Sequence, residues 1–298
     1  MKSRPSLKNS AKASLSFLIA TCIICGCSSS TTPTYLIETI EQDIRNICKK
    51  EYKLEVKPKL VGSTLWIYIP LENIVEKSDK PQKYVEKFSI EQNNSEFENR
   101  YFKVDYLIKA VPEEEKQQEY KFKKEALESI NNVWKVLRRV IFSMKSPQDK
   151  EPKFYYLIVA DIKTGYEIDE LLYYQDLKKV SYGFISWEEY QHRTIQDGII
   201  APQVIGDREG ASVNYRDITL EEFICAQIKH RVRLKFQKPE VENKNLDLDK
   251  EISRIITYTI KTYGFRDFSA VEMNNLLTKI KTVLSETKVW AGALEQKF

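Results

Sequence analysis

Six titratable residues lie close together in the middle of the chain: Glu167, Asp169 and Glu170, then Glu188, Glu189 and His192. Paired carboxylates can run acid–base hydrolysis, one giving a proton while the other acts as base or nucleophile, as in most glycosidases. Glu167, Glu188 and His192 are therefore the candidate catalytic residues. The same pattern has a plainer reading, because Asp and Glu are favoured in the first turn of a helix on electrostatic grounds alone. Binding candidates lie further on. The stretch Ala201 to Gly210 carries Asp207, Arg208 and Glu209, and loops hold a disproportionate share of functional residues. The run Arg231-Val232-Arg233-Leu234-Lys235 alternates cation and aliphatic. Read as a strand, it sets Arg231, Arg233 and Lys235 on one face, either solvated or turned toward lipid headgroups or cell-wall polymer.

Other chemistries are absent from the sequence. The two histidines, His192 and His230, have no metal-ligand spacing and no nearby Cys partner. There is no phosphate loop or dinucleotide fingerprint and no Gly-x-Ser-x-Gly elbow. No cofactor and no metal are expected. Lys163-Thr164-Gly165 is similar to one element of the penicillin-binding proteins. The only partners, Ser285-Glu286-Thr287-Lys288 and Ser212-Val213-Asn214, stand in reversed order, so residues 163–165 read as a hairpin turn.

The N-terminus has the anatomy of an export signal: Lys2, Arg4, Lys8 and Lys12, then the 12-residue apolar run Ala13 to Ile24. That run is shorter than the roughly 20 apolar residues of a spanning helix. It ends in Ile24-Cys25-Gly26-Cys27, which resembles the lipobox of bacterial lipoproteins. The resemblance covers only this segment. It implies cleavage before Cys27, lipidation of the Cys27 thiol and acylation of the new N-terminus, so that a lipid membrane is the first partner. Ser28 follows the cysteine where the family's inner-membrane retention signal has Asp, which implies the periplasmic face of the outer membrane. Residues 1–26 are then signal peptide and residues 27–34 a polar tether. Ser28 to Thr34, fully extended, reaches at most ~25 Å, so the folded body rides close to its membrane.

Export alters the charge reading. The chain has 47 Lys and Arg against 43 Asp and Glu; four of the basic residues lie in the signal, which leaves 43 of each. A neutral body gives no electrostatic case for nucleic acid, whose binding is dominated by phosphate neutralisation. Cys48 and Cys225 remain after processing. An oxidising compartment permits a bond between them; both also sit on apolar stripes, where buried free thiols belong.

The rest of the chain alternates helical and strand periodicity, predicting an α+β fold of mixed or antiparallel sheets packed by amphipathic helices. The spacing predicts a helix on Leu36, Ile37, Ile40, Ile44, Ile47 and Cys48. Strands follow at Lys53 to Lys57, Leu65 to Ile69 and Tyr101 to Val111, with a charged, partly helical excursion over 76–98. The clearest amphipathic helix carries Ala126, Leu127, Ile130, Val133, Trp134, Leu137, Val140 and Ile141, with Trp134 facing the core. Ser146 to Pro152 marks a boundary between an N-terminal unit (35–148) and a C-terminal one (149–298). Strands at Phe154 to Ile162 and Tyr166 to Ile168, helices at Asp169 to Lys179 and Trp187 to Ile195, and a helix from Thr219 come next. A strand on Val232, Leu234 and Phe236, a polar linker (Pro239 to Asn245), a helix on Ile252 to Ile260 and a last helix on Leu276, Leu277, Ile280 and Leu284 complete the reading. Ile47-Cys48 and Ile224-Cys225 each precede a Lys- or Arg-rich alternating run, which fits two similar subdomains or chance. The favoured function is a periplasmic lipoprotein with a structural role or a role in binding an envelope protein or glycan; the alternative is a hydrolase of cell-wall glycan or peptide.

Overall fold

The structure is a computed structural model and describes residues 35–145, 150–237 and 247–291. The signal peptide, Cys27, the tether, residues 146–149 of the boundary and the linker Pro239 to Asn245 lie outside the described residues.

The fold is α+β, with two mixed sheets. The chain enters through β1 (Tyr35–Leu36) and a 3-10 turn into α1 (Ile40–Tyr52). It continues through β2 (Lys57–Val61), β3 (Thr64–Leu71), the long hairpin β4 (Val75–Glu98) and β5 (Tyr101–Phe122), and α2 (Lys124–Phe142). After β6 (Met144–Lys145) come β7 (Phe154–Asp161), β8 (Tyr166–Tyr173), α3 (Tyr174–Ser181), α4 (Trp187–Arg193) and β9 (Ile195–Ile200). The remainder is α5 (Leu220–Gln237), α6 (Leu248–Thr262), β10 (Ala270–Asn275), β11 (Ile280–Ser285) and α7 (Glu286–Ala291).

Five strands in the order β2-β3-β7-β8-β9 form one sheet, and four in the order β11-β10-β5-β4 form the other. Each sheet takes strands from both sides of residue 149, so the division into units at 148/149 is not the division into sheets. One face of the five-stranded sheet packs on α1 and α2 through Leu65, Ile67, Leu157, Val133 and Leu137. Its other face meets the 201–218 loop and Phe223 of α5. The four-stranded sheet buries Phe102, Val104, Tyr106, Val271 and Met273 against α5, α6 and α7.

Helix α5 serves both cores: Phe223 enters one, while Ile224, Ile228, Val232 and Phe236 enter the other. A helix packed on more than one side loses its one-sided apolar stripe. That is why Val232, Leu234 and Phe236 imitate a strand in the sequence, although the chain is helical through Gln237. The echo between residues 47–48 and 224–225 fails with it, since Cys225 lies inside a helix that runs on through 231–235.

Four further expectations are corrected. Lys53 adopts φ 58° and ends α1, so the strand starts at Lys57 rather than Lys53, although Val56 is buried as expected. The excursion over 76–98 is strand throughout. Its first half is a ribbon exposed on both sides and held by cross-strand pairs such as Lys83–Glu115 at 2.7 Å and Lys121–Glu76 at 3.3 Å. Without a buried face there is no period-2 signal to read. Strand β8 runs on to Tyr173, which delays the next helix to Tyr174. Leu276 to Leu284 is a hairpin: Lys279 takes φ 60° at the turn and Ile280 to Ser285 pairs antiparallel with Ala270 to Asn275.

Candidate functional site

Glu167 and Asp169 sit two residues apart on β8, so their side chains leave the same face of the sheet. Each carboxyl acts on the ionisation of the other. Asp169 Oδ2 also accepts from the Tyr156 hydroxyl at 2.7 Å, and Asp197 lies directly opposite Asp169 on β9. Burial, then the negative charge of Asp169, pushes Glu167 up to about 7. Burial raises Asp169 as well. Neighbouring carboxyls do not both ionise cheaply, which favours their sharing a proton. Asp169 borders two adjoining hollows, and Glu167 borders the smaller of them. One, of about 180 Å³, is lined by Trp66, Tyr156, Ser212 and Asn214. The other, of about 530 Å³, is lined by Tyr156, Asn93, Asp197, Lys229 and Arg233. Trp66 stacks on Tyr156 with ring centroids 4.2 Å apart.

Glu188 and His192 are not part of this arrangement. They lie on α4 and line a larger groove, about 1210 Å³, between α2, α4 and α5. The structure thus separates the catalytic candidates: Glu167 faces the 201–218 loop, whereas Glu188 and His192 share the groove with Glu170 of the opposite sheet face. Trp134 is a groove wall rather than a core residue. It is only partly buried, and its indole N–H donates to Glu170 Oε2 at 3.2 Å. Val133, Val136, Leu137 and Val140 fill the core in its place. Across the groove stands Trp187, 54% exposed, with the Arg138 guanidinium over its ring at 5.8 Å.

The groove also holds a residue that the sequence did not single out. His230 of α5 is 6% exposed, and its Nε2 has no hydrogen-bond partner among the described residues. Burial, then the charges of Arg233 and Arg231, push it down to about 3, so the imidazole is neutral. No spacing pattern could have flagged it, because its place depends on α5 continuing as a helix.

The binding candidates all have partners within the fold. Asp207 spends its carboxylate on its own loop: Oδ1 accepts from the backbones of Glu209, Gly210 and Ala211, and Oδ2 from the backbone and hydroxyl of Ser212. Arg208 pairs with Glu72 at 2.7 Å. Arg233 does not share a face with Arg231 and Lys235, because alternate residues on a helix diverge by about 200°. Arg231 is buried beside Glu189 at 3.4 Å, Arg233 pairs with Asp197 at 2.9 Å, and Lys235 pairs with Glu251 at 3.5 Å. Cys48 and Cys225 are free and lie in different hydrophobic cores, which rules out the bond; burial pushes their thiols up to about 12 and about 11. Lys163 to Gly165 is a turn as read, organised by Asp161, whose carboxylate accepts from the N–H groups of Asn73, Ile74, Lys163 and Thr164.

Among the described residues no helix is long and apolar enough to cross a membrane, and no group of three or more His, Cys, Asp or Glu side chains could hold a metal ion. The fold and groove define a two-sheet α+β body with an open, aromatic-walled groove. No family model, no curated protein and no solved structure matches this chain.

Proposed function

We propose that this protein is a lipoprotein of the bacterial envelope, anchored through an acylated Cys27 on the periplasmic face of the outer membrane, whose body binds a segment of another envelope protein. The anchor half of this reading rests on Ile24-Cys25-Gly26-Cys27. The binding half rests on one observation, the unpartnered and buried Nε2 of His230 in a groove walled by Trp134 and Trp187. A buried polar atom without a partner is costly, on the order of 1–3 kcal/mol, and a ligand that supplies the missing hydrogen bond recovers that cost. Aromatic walls add large, rigid contact area. The test is crosslinking in cells, with Trp187 of the full chain replaced by a photoreactive aromatic residue. A discrete protein adduct is expected, weakened by His230→Phe. A reporter at Tyr120, on the ribbon, should not give it. No adduct, or the same adduct from both positions, contradicts the reading.

A second reading, envelope hydrolase, is favoured by the Glu167–Asp169 pair. Retaining and inverting glycosidases hold their carboxyls about 5–5.5 Å and about 6.5–9.5 Å apart. A pair two residues apart on one strand, each carboxyl acting on the other's ionisation, is a different arrangement. It is closer to the proton-sharing dyad of acid-type peptide hydrolysis, which makes peptide the better substrate class for this alternative. Peptide-cleaving activity lost in Glu167→Gln would establish it.

A further inference from the structure

We infer that the end of the body carrying Phe142, Tyr182 and Phe184 lies in the membrane interface and orients the protein on its bilayer. The inference rests on the lipid anchor proposed above.

The described chain begins at Tyr35, and its backbone N–H donates to the Ser143 carbonyl at 3.3 Å. Tyr35 and Leu36 pair in parallel with Met144 and Lys145. The chain therefore enters the fold at the C-terminal end of α2, one residue past Phe142. Any anchor on Cys27 pulls on this point, through a tether of at most ~25 Å.

Apolar side chains on the segments that meet this entry point, and on the end of α3 that Tyr182 brings to Phe142, are uncovered. Phe184 is 78% exposed, Tyr182 67%, Leu36 47% and Phe142 39%. Phe142 and Tyr182 meet edge-on with centroids 6.0 Å apart. Phe184 is held outward by the backbone. Helix α3 closes with Gly183 at φ +75°, the Gly183 N–H donating to Val180 and the Phe184 N–H to Lys179 at 2.8 Å. In this closing pattern the residue at the position of Phe184 usually packs back on an apolar residue of the last helical turn. Here that residue is Lys179, so Phe184 has no apolar seat. Exposed apolar side chains concentrated at one place mark an interaction surface. Aromatic rings are favoured at membrane–water interfaces. Acyl chains and an interfacial apolar surface also reinforce each other as two independent membrane signals. A bilayer is the occupant that must lie within tether reach of this surface.

The test uses the full chain reconstituted into phosphatidylethanolamine–phosphatidylglycerol vesicles, with and without bromine on the acyl chains. Phe184→Trp places a reporter in the patch. Ile200→Trp places one at the other end of β8, at a residue 75% exposed. Both substitutions fall on exposed side chains and leave the cores intact. Flotation with the vesicles reports the anchor, and bromine quenching of the added emission reports the patch. The expected result is flotation of both variants, with the Phe184→Trp emission largely lost in brominated vesicles and the Ile200→Trp emission retained. Flotation without quenching at position 184, or with equal quenching at both positions, overturns the orientation while leaving the anchor standing. Failure to float overturns the anchor and this inference with it.

Discussion

The guanidinium of Arg193 lies 2.8 Å from Asp176 Oδ1, and both side chains are almost wholly buried. The pair belongs to a larger knot. Glu189 accepts from Arg193 at 2.6 Å and from the Tyr258 hydroxyl at 3.2 Å. Gln227 donates to the Arg193 carbonyl, and Arg231 sits beside Glu189. Helices α3, α4, α5 and α6 thus meet on one set of charges. This knot ties the helices next to the five-stranded sheet to those covering the four-stranded one.

Breaking a buried ion pair from one side strands the other charge, at about 3–5 kcal/mol. Arg193→Met is expected to lower the unfolding free energy by that amount in denaturant titration, against less than ~0.5 kcal/mol for Lys124→Ala on the exposed start of α2. Equal effects would mean that the knot contributes nothing specific.

Asp161 is wholly buried and joins the turn after β7 to the start of the long hairpin through four backbone N–H groups. Burial alone would raise its carboxyl, but the hydrogen bonds from Thr164, Ile74 and Lys163 outweigh it and hold the group below the usual carboxylate range. A depressed folded-state pKa contributes stability above the unfolded value that is lost as pH falls through the folded one. Asp161→Ala, which orphans those donors, should cost roughly 2–4 kcal/mol at neutral pH and show a smaller acid-side loss than the wild type. An unchanged acid limb would count against this role.

Glu167 works in the opposite direction. Its folded-state pKa is raised to about 7, so its protonated form belongs to the folded state. Its stabilisation is complete below the unfolded carboxylate range and is lost as pH rises from there through about 7. At ~1.4 kcal/mol per pKa unit, reduced for partial solvent screening, the change is on the order of 1–3 kcal/mol. Glu167→Gln should flatten stability across that window and leave the variant more stable than the wild type at pH above 8. A variant that keeps the full wild-type slope contradicts the shared proton.

On α2, Leu137 is fully buried and Trp134 is not. Leu137→Ala should cost about 2–5 kcal/mol. Trp134→Ala should cost less, despite the larger side chain removed, while weakening capture by the groove. Thermal or denaturant unfolding of the two variants decides the order, and a larger loss from Trp134 would return it to the core.

The α+β class, the α2 stripe and the buried strands at 65–69 and 154–161 were legible because each has one consistent environment along its length. The failures share a cause. The 76–86 ribbon has no buried face, and α5 has more than one, so neither shows the period that its conformation implies. Leu276, Ile280 and Leu284 recur at helical spacing, yet Lys279 in a left-handed turn and pairing with β10 decide for a hairpin. The candidate site was legible in part. Glu188 and His192 do share a groove, but Glu167 points through the opposite sheet face, a distinction that needs the strand register. His230 and the exposed Phe184 needed the helix ends and the loop path, which residue spacing does not carry.

The central claim is lipid anchoring at Cys27, and metabolic labelling with palmitate tests it most directly. Wild-type protein expressed in a bacterium should incorporate label and sediment with membranes, while Cys27→Ser should do neither and leave the body folded. Label that persists in Cys27→Ser, or its absence from the wild type, would contradict the account.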